Sequence, residues 1–519
     1  MLLLIIPYLQ TTENTIVAEN YDDVKLPINI ITTDSPISIT SDAELIDANF
    51  PGSGTYSDPY RIENLEIILS TGQTGIYITG LTIADSYIMI RNCTITGGSY
   101  GINIDNILDQ RARVWNSTFA NNDIAIQMSS TNYVEAMNNT ISNCGSNGIR
   151  FDSCDGSFIY NNTITNCYRA IYVTNCIHMF IYYNEISDCV PYGILAEDSD
   201  ESVMQYNTIT ACDRGIESYS TIDPFIGNNQ VNNCYTYGIL LRYSDYARVG
   251  GNNFHACSLS VYDTNVEDLL TCQVTSNYID GVMIRYAENL TDTNIWAGYS
   301  QYILVNCSNV QISSQNSLAT NIFAAITLHF CTDIDIRFCN ISYNRYGINF
   351  FNSNNVKIYN NTMYHNIISI GATGSDGGFI RNNQFYDGQS GVYFVSSVNN
   401  YDIYQNAFQQ FSSYGIIFEL STGNRIYHNT LVQCGYPSYG YDDTGNTWYN
   451  TSLNQGNYWQ NWNGTGTYTI DGPAGVVDMY PLNNPFVPPV IAEYVFLSWF
   501  TVVFLTIIPG LVIYLKKRN

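Results

Sequence analysis

One phrase is written several times between Met137 and Ser244: MNNTISNCGSNGIRFDSC, YNNTITNCYRAIYVTNC, YNEISDCVPYGILAEDS, YNTITACDRGIESYS and NNQVNNCYTYGILLRYS. Each copy runs Asn, one residue, an apolar residue, two more, Cys, a short turn, then a small residue and Ile. The small residues Gly148, Ala170, Gly193, Gly215 and Gly238 recur at a period of roughly 22, the spacing of stacked repeats. A unit this short has no room for a helix of ordinary length beside three short strands. Apolar residues alternate within it, as in Ile149 and Phe151, in runs of Ile, Val, Tyr and Thr broken by Asn, Gly, Asp and Ser. The unit therefore closes as one coil, and the next coil stacks about 4.8 Å above it in parallel register. The fold class is all-β, a parallel β-helix solenoid of about sixteen coils and roughly 75 Å of stack.

Stacking in register places like residues above one another. Asn139, Asn162, Asn184, Asn207 and Asn229 predict a ladder of side-chain amides at a turn. Cys144, Cys167, Cys189, Cys212, Cys234 and Cys257 predict a second ladder, and Cys154, Cys176 and Cys331 fit a third. Neighbouring coils are close enough for disulfides by distance alone. Continuous thiol stacks are nevertheless read as free, buried packing. No CxxC or Cys/His cluster accompanies them, so no metal site is assigned. The register is weakest between about Phe254 and Leu318, where Cys272 and Cys307 lie outside the main ladders.

Composition excludes two classes. With 45% hydrophobic, 14% aromatic and 12% charged residues the chain is ordered, not a disordered tail. Its formal charge of −26 argues against a nucleic-acid partner, which needs a basic footprint. Sequons at Asn92, Asn116, Asn138, Asn161, Asn289, Asn306, Asn340, Asn360, Asn450 and Asn463 are acceptors for N-glycans. Most also fall in the turn strip, where an Asn ladder accounts for them.

Two segments outside the repeat carry a family resemblance. Gly52 to Ile67, GSGTYSDPYRIENLEI, resembles the opening G-[ST]-G-T…D-P-Y-x-I-E-x-L-x-I segment of the NosD-like right-handed parallel β-helix surface proteins common in archaea. Gly456 to Trp459, Asp471, Gly472, Asp478 and Tyr480 to Leu482 resemble the ending of the same family. The resemblance implies a right-handed coil, capped at both ends, on a cell surface. Trp448, Trp459 and Trp462 then read as an apolar plug over the last coil. The family's link to copper-site assembly is not carried over. His178, His255, His329, His365 and His428 fall in different coils, and copper needs such donors gathered together.

The chain divides as follows. Residues 1–10 are a short apolar or signal segment, 11–35 a leader, 36–74 the N-terminal cap and first rung, and 75–445 the repeats. Residues 446–482 form a C-terminal cap and 483–489 a linker. The apolar run 490–515 has the length of a transmembrane helix. Lys516, Lys517 and Arg518 follow at once, which puts tail 516–519 in the cytoplasm and the β-helix outside the cell membrane.

In a strand that opens small-Ile, the Ile faces in and the next residue faces out. The outward residues Arg150, Asp152, Tyr172, Glu197, Glu217, Tyr219 and Arg242 then share one face. Two functions follow. The first is a single-pass extracellular protein that binds glycan or protein through Arg150, Tyr172, Tyr219 and Arg242, or serves as an envelope component. The alternative is a membrane-tethered polysaccharide hydrolase or lyase with Asp152, Glu197 and Glu217 as catalytic groups. Glu197 and Glu217, on adjacent coils, would place their carboxyls roughly 6–9 Å apart, a separation suited to glycoside hydrolysis. The paired aspartates and Gly-His-Gly motif of pectinase-like β-helix hydrolases are not found. No cofactor is assigned. Acidic turns such as Asp198 to Glu201 or Asp442 and Asp443 are the candidate places for surface calcium.

Overall fold

The computed structural model describes residues 31–485 except 33–34, 84–85, 108–110, 297, 317 and 436. The segments 1–10, 490–515 and 516–519 lie outside the described residues. Among the described residues no helix is long and apolar enough to cross a membrane.

A single coil is built from Asn147–Asp152, Phe158–Tyr160 and Thr163–Thr165, after which Arg169–Thr174 begins the next. Repetition gives two ten-stranded parallel sheets, one of the six-residue long strands and one of the strands that follow them. Ile149, Ile171, Ile194, Ile216 and Ile239 lie in consecutive register and are fully buried. Together with stacks such as Ile141, Ile164, Ile186 and Ile209 they make one continuous core. The anticipated stack of isoleucines is therefore present along the axis.

The turns follow from two amide ladders. Within the wall, the Asn139 side chain donates to Asn162, Asn162 to Asn184, Asn184 to Asn207 and Asn207 to Asn229, at 2.9–3.0 Å. Each amide also donates to a carbonyl of an earlier coil, as Asn207 does to Ile181. An outer ladder joins Asn116 to Asn92 and Asn161 to Asn138. These four asparagines have φ between 47° and 55°, the left-handed region that Asn tolerates better than most residues. Turn chemistry thus accounts for these four sequons, and a glycan on Asn116 or Asn161 would disrupt a ladder bond.

All fourteen cysteines are free and buried. Burial pushes thiols such as Cys154 up to about 12, so they keep their protons. Cys307, which the sequence places outside the ladders, stacks against Cys331.

The stack is interrupted where the register is weakest. Val266–Thr271 forms a short helix, and Tyr278–Ile279 pairs antiparallel with Val282–Glu288. From there a second stack runs in parallel pairs through Gln301–Val305, Ala324–His329, Tyr346–Phe351, Ile368–Thr373 and onward to Gly440–Asp442. The long-strand face continues across the junction. Gln301 Nε2 donates to the carbonyls of both Leu259 and Ala324, and the Tyr237 and Phe323 rings meet at 4.4 Å.

Both ends are sealed. At the base, Asp42–Asp47 is a helix whose buried Leu45 covers the first coil. Ser41 accepts from Glu44 N while Glu44 accepts from Thr40 N, a reciprocal cap. At the top, Trp448 and Trp459 are buried and their indoles donate to Asp442 and Asp478. Trp462 is only partly buried and donates to Thr465. Gly456 lies against Asp478, whose Oδ1 would be 1.8 Å from an added Cβ. Gly472 lies as tightly on the Asp442 carbonyl, at φ +113°. The terminal family motif is therefore a structural plug.

Candidate functional site

The long-strand sheet carries the candidate residues in rows. Arg150, Tyr172, Leu195, Glu217 and Leu240 are consecutive register partners, as are Asp152, Thr174, Glu197, Tyr219 and Arg242. All seven anticipated residues thus share one outward face. A further row, Asn147, Arg169, Tyr192, Arg214 and Tyr237, is one that strict alternation would bury. Alternation slips at the small residue. In each long strand it and the following Ile are both buried, so the residue before them turns out. The space there is tight: a Cβ on Gly193 would sit 2.9 Å from Ile209 Cγ2 and 2.6 Å from the Gly215 carbonyl.

Charge on this face is paired closely. Glu217 is only 1% exposed; Arg214 Nη1 donates to its Oε2 at 2.5 Å, and Arg242 Nε lies 3.2 Å from its Oε1. Arg150 pairs with Asp152 at 3.0 Å. The Tyr172 hydroxyl donates to Glu197 Oε2 at 2.6 Å. Glu197 and Glu217 therefore turn apart along the axis. Glu197 reaches back to the preceding coil, and Glu217 is held between Arg214 on its own coil and Arg242 on the next. Arginines and tyrosines interleave: Arg242 lies 4.3 Å from the Tyr219 ring, Arg214 5.1 Å from Tyr192, and Arg169 5.0 Å from Tyr172 and 5.2 Å from Tyr168.

Burial pushes the Tyr172 phenol up, and its bond to Glu197 adds to the shift. Burial likewise raises Tyr192, helped by the Glu217 charge, and raises Tyr237 to about 12. These phenols stay protonated, and that of Tyr172 donates to Glu197. Burial opposes the charge on Arg214, but Glu217 outweighs it and holds the guanidinium above its usual value. Among the described residues Arg169 has no carboxylate partner within ion-pair distance, and its buried Nε lacks a hydrogen-bond partner.

The metal readings separate clearly. His178 pairs with Glu201, His255 with Asp280 and His365 with Asp387, while His428 meets Gln455 and His329 is buried against Phe351. No two histidines share a site. Among the described residues one group of three acidic side chains converges, Asp245, Asp263 and Asp268. Carboxylates alone are not a copper donor set. Asp442, considered for calcium, is fully buried and spent on Gly445 N, Asn446 N and the Trp448 indole.

Comparison with known proteins agrees with the architecture. Residues 50–152 and 106–254 match the family model described as right handed beta helix region, and residues 271–464 match that of periplasmic copper-binding protein (NosD). Over these residues the chain is similar to NosD-like, right-handed β-helix proteins. No curated protein matches it. Among solved structures it is similar to XylC in complex with xylose, at 13% identity and TM-score 0.27, covering 39% of this chain and 38% of that one. The surface adhesin PfbA of Streptococcus pneumoniae is 12% identical with TM-score 0.30, over 70% of this chain and 93% of that one. The catalytic domain of a GH87 alpha-1,3-glucanase bound to nigerose is 14% identical with TM-score 0.30, over 82% and 70%. Likeness at this level carries no argument about activity. The copper named for the NosD family does not fit the histidines of this chain, each of which has a partner of its own.

Proposed function

We propose that this protein is an extracellular glycan-binding β-helix, tethered to the cell membrane by residues 490–515, that holds a carboxylated polysaccharide over the face between Arg150 and Arg242. Arg169 carries the reading. On a chain of charge −26 it is a cation with no carboxylate partner among the described residues, set over two tyrosine rings. A sugar carboxylate would complete that guanidinium bidentately, while Tyr172 and Tyr219 offer the ring face and hydroxyl a pyranose needs. The test is titration of the purified ectodomain with galacturonate oligomers, with neutral glucan oligomers as the control. Binding of the acidic oligomer that weakens at least ten-fold in Arg169→Ala, Tyr172→Ala and Tyr219→Ala supports the reading. Equal binding of both sugars, or none, would falsify it.

The hydrolase or lyase alternative rests on the Tyr172–Glu197 contact, a protonated phenol held against a carboxylate. Shortened or unsaturated oligomers appearing during the titration, and lost in Glu197→Gln while affinity persists, would favour it.

A further inference from the structure

The long-strand face carries the Tyr–Glu contact a second time. Tyr393 donates to Glu419 Oε2 at 2.7 Å, as Tyr172 donates to Glu197 at 2.6 Å. The strand positions are the same: Tyr393 is the register partner of Ile417 and Val395 of Glu419, as Tyr172 is of Leu195 and Thr174 of Glu197. The receiving strands are near copies, YGILAE at Tyr192–Glu197 and YGIIFE at 414–419. Tyr414 therefore stands where Tyr192 stands, and all four of Tyr393, Tyr414, Ile417 and Glu419 are half-buried on the surface. One difference is chemical. Tyr192 accepts from Arg214, whereas Tyr414 donates to Asp471 at 3.2 Å. The first station is cationic; the second is made of two tyrosine–carboxylate pairs and a hydrophobic floor.

Aromatic rings bridge the junction that lies between the two. Tyr237 meets Phe323 at 4.4 Å and Phe323 meets Tyr346 at 5.2 Å, so the row crosses the junction between stacks without a gap. Beyond it Tyr346 lies across Gly371, where an added Cβ would be 2.8 Å from the ring. The path ends at Tyr393 and Tyr414. Paired spacings run Tyr172, Leu195, Glu217, Leu240 and Ser260 on one side of the junction and Thr327, Asn349, Gly371 and Tyr393 on the other; with one further step across the junction the separation is about 38 Å.

We infer that Tyr393, Tyr414, Glu419 and Asp471 form a second sugar subsite, which takes the vicinal hydroxyls of a unit farther along the same polysaccharide chain. The carboxylates accept from a diol, the phenols hold those carboxylates in place, and among the described residues no arginine charge acts on Tyr393 or Tyr414, which suits hydroxyls over acid groups. The inference rests on the glycan reading of the first station. It makes the whole face a track for one chain laid parallel to the solenoid axis.

The two ideas fail differently. Affinity is measured for a short galacturonate oligomer and for a polygalacturonate long enough to span about 38 Å, on wild type, Glu419→Gln and Tyr414→Ala, each checked by thermal melting for an intact fold. Joining two subsites through one ligand predicts a gain of about a hundred-fold for the long chain. The gain should collapse toward the statistical value in both variants. If the short oligomer binds but the long chain gains nothing, or the gain survives both substitutions, the second subsite is refuted and the first station stands. If neither ligand binds, the glycan reading fails and takes this inference with it. Should Tyr414→Ala melt early, Glu419→Gln alone decides, because it keeps the side chain's size.

Discussion

At the scale of single residues, asparagine does two jobs in this protein. In the outer turns it occupies left-handed backbone; in the wall it joins coils by its amide. Asn207 shows the second role completely. Its Oδ1 accepts from both Asn184 N and Asn184 Nδ2, and its own Nδ2 donates to Asn229 and to the Ile181 carbonyl. Asn207→Ala should cost roughly 2–4 kcal/mol, because buried donors are left without partners. Asn207→Ser should recover part of the loss, since Ser117 fills this role in its own coil by accepting from Cys93 N. Equilibrium denaturation of the two variants gives the comparison, and equal losses would count against it. A buried carboxyl supplies a second check. Burial raises Asp478 above its usual value, against bonds from the Trp459 indole and Asn457. A raised acid stabilises fully below its unfolded value, about 3.9, and that part is lost as pH rises through the folded value. The melting temperature of wild type should therefore fall relative to Asp478→Asn across that window. A pH-independent difference would show that the carboxyl does not titrate there.

At the scale of elements, the coil is the unit of stability. Each long strand bonds only to the coils below and above, so damage spreads by neighbours. Ile194 is fully buried between Ile171 and Ile216. Ile194→Asp buries an unpaired charge there and should unfold several coils on either side. Hydrogen exchange should report lost protection from about Arg169 to Arg242, with the second stack beyond residue 282 keeping its own. Unchanged protection around the mutated coil would contradict the burial. The same logic accounts for the ends. The helix Asp42–Asp47 and the Trp448–Trp459 plug exist because a first and a last coil have no neighbour on one side.

At the scale of the whole molecule, a solenoid presents long parallel faces and little concavity. Function on such a surface comes from rows of side chains, one per coil, and a linear polymer is the ligand whose shape matches a row. The proposed anchor belongs to this scale too. Truncation after Pro489 should release the β-helix in soluble form with its melting temperature unchanged, whereas the full chain should fractionate with membranes. Recovery of the truncated form in the membrane fraction would point to a different attachment.

The sequence alone determined whatever repeats. A period near 22 residues dictated stacked coils; the small-Ile step dictated the register of Ile149 to Ile239; and the Asn and Cys positions dictated their ladders. Stacking copies identity from one coil to the next, so local pattern and tertiary contact are here the same information. Gathering Arg150, Asp152, Tyr172, Glu197, Glu217, Tyr219 and Arg242 on one face was legible for the same reason. What only the tertiary structure decided lies where repetition breaks. The slip in alternation that turns Arg169, Tyr192 and Arg214 outward arises from close packing at the small residue, which no period-two rule contains. The clamp of Arg214 and Arg242 on Glu217 depends on side-chain directions across two coils. The reset between Phe254 and Leu318, and the alignment of Tyr237 with Phe323 across it, depend on how an irregular segment packs, and irregular packing leaves no period to read.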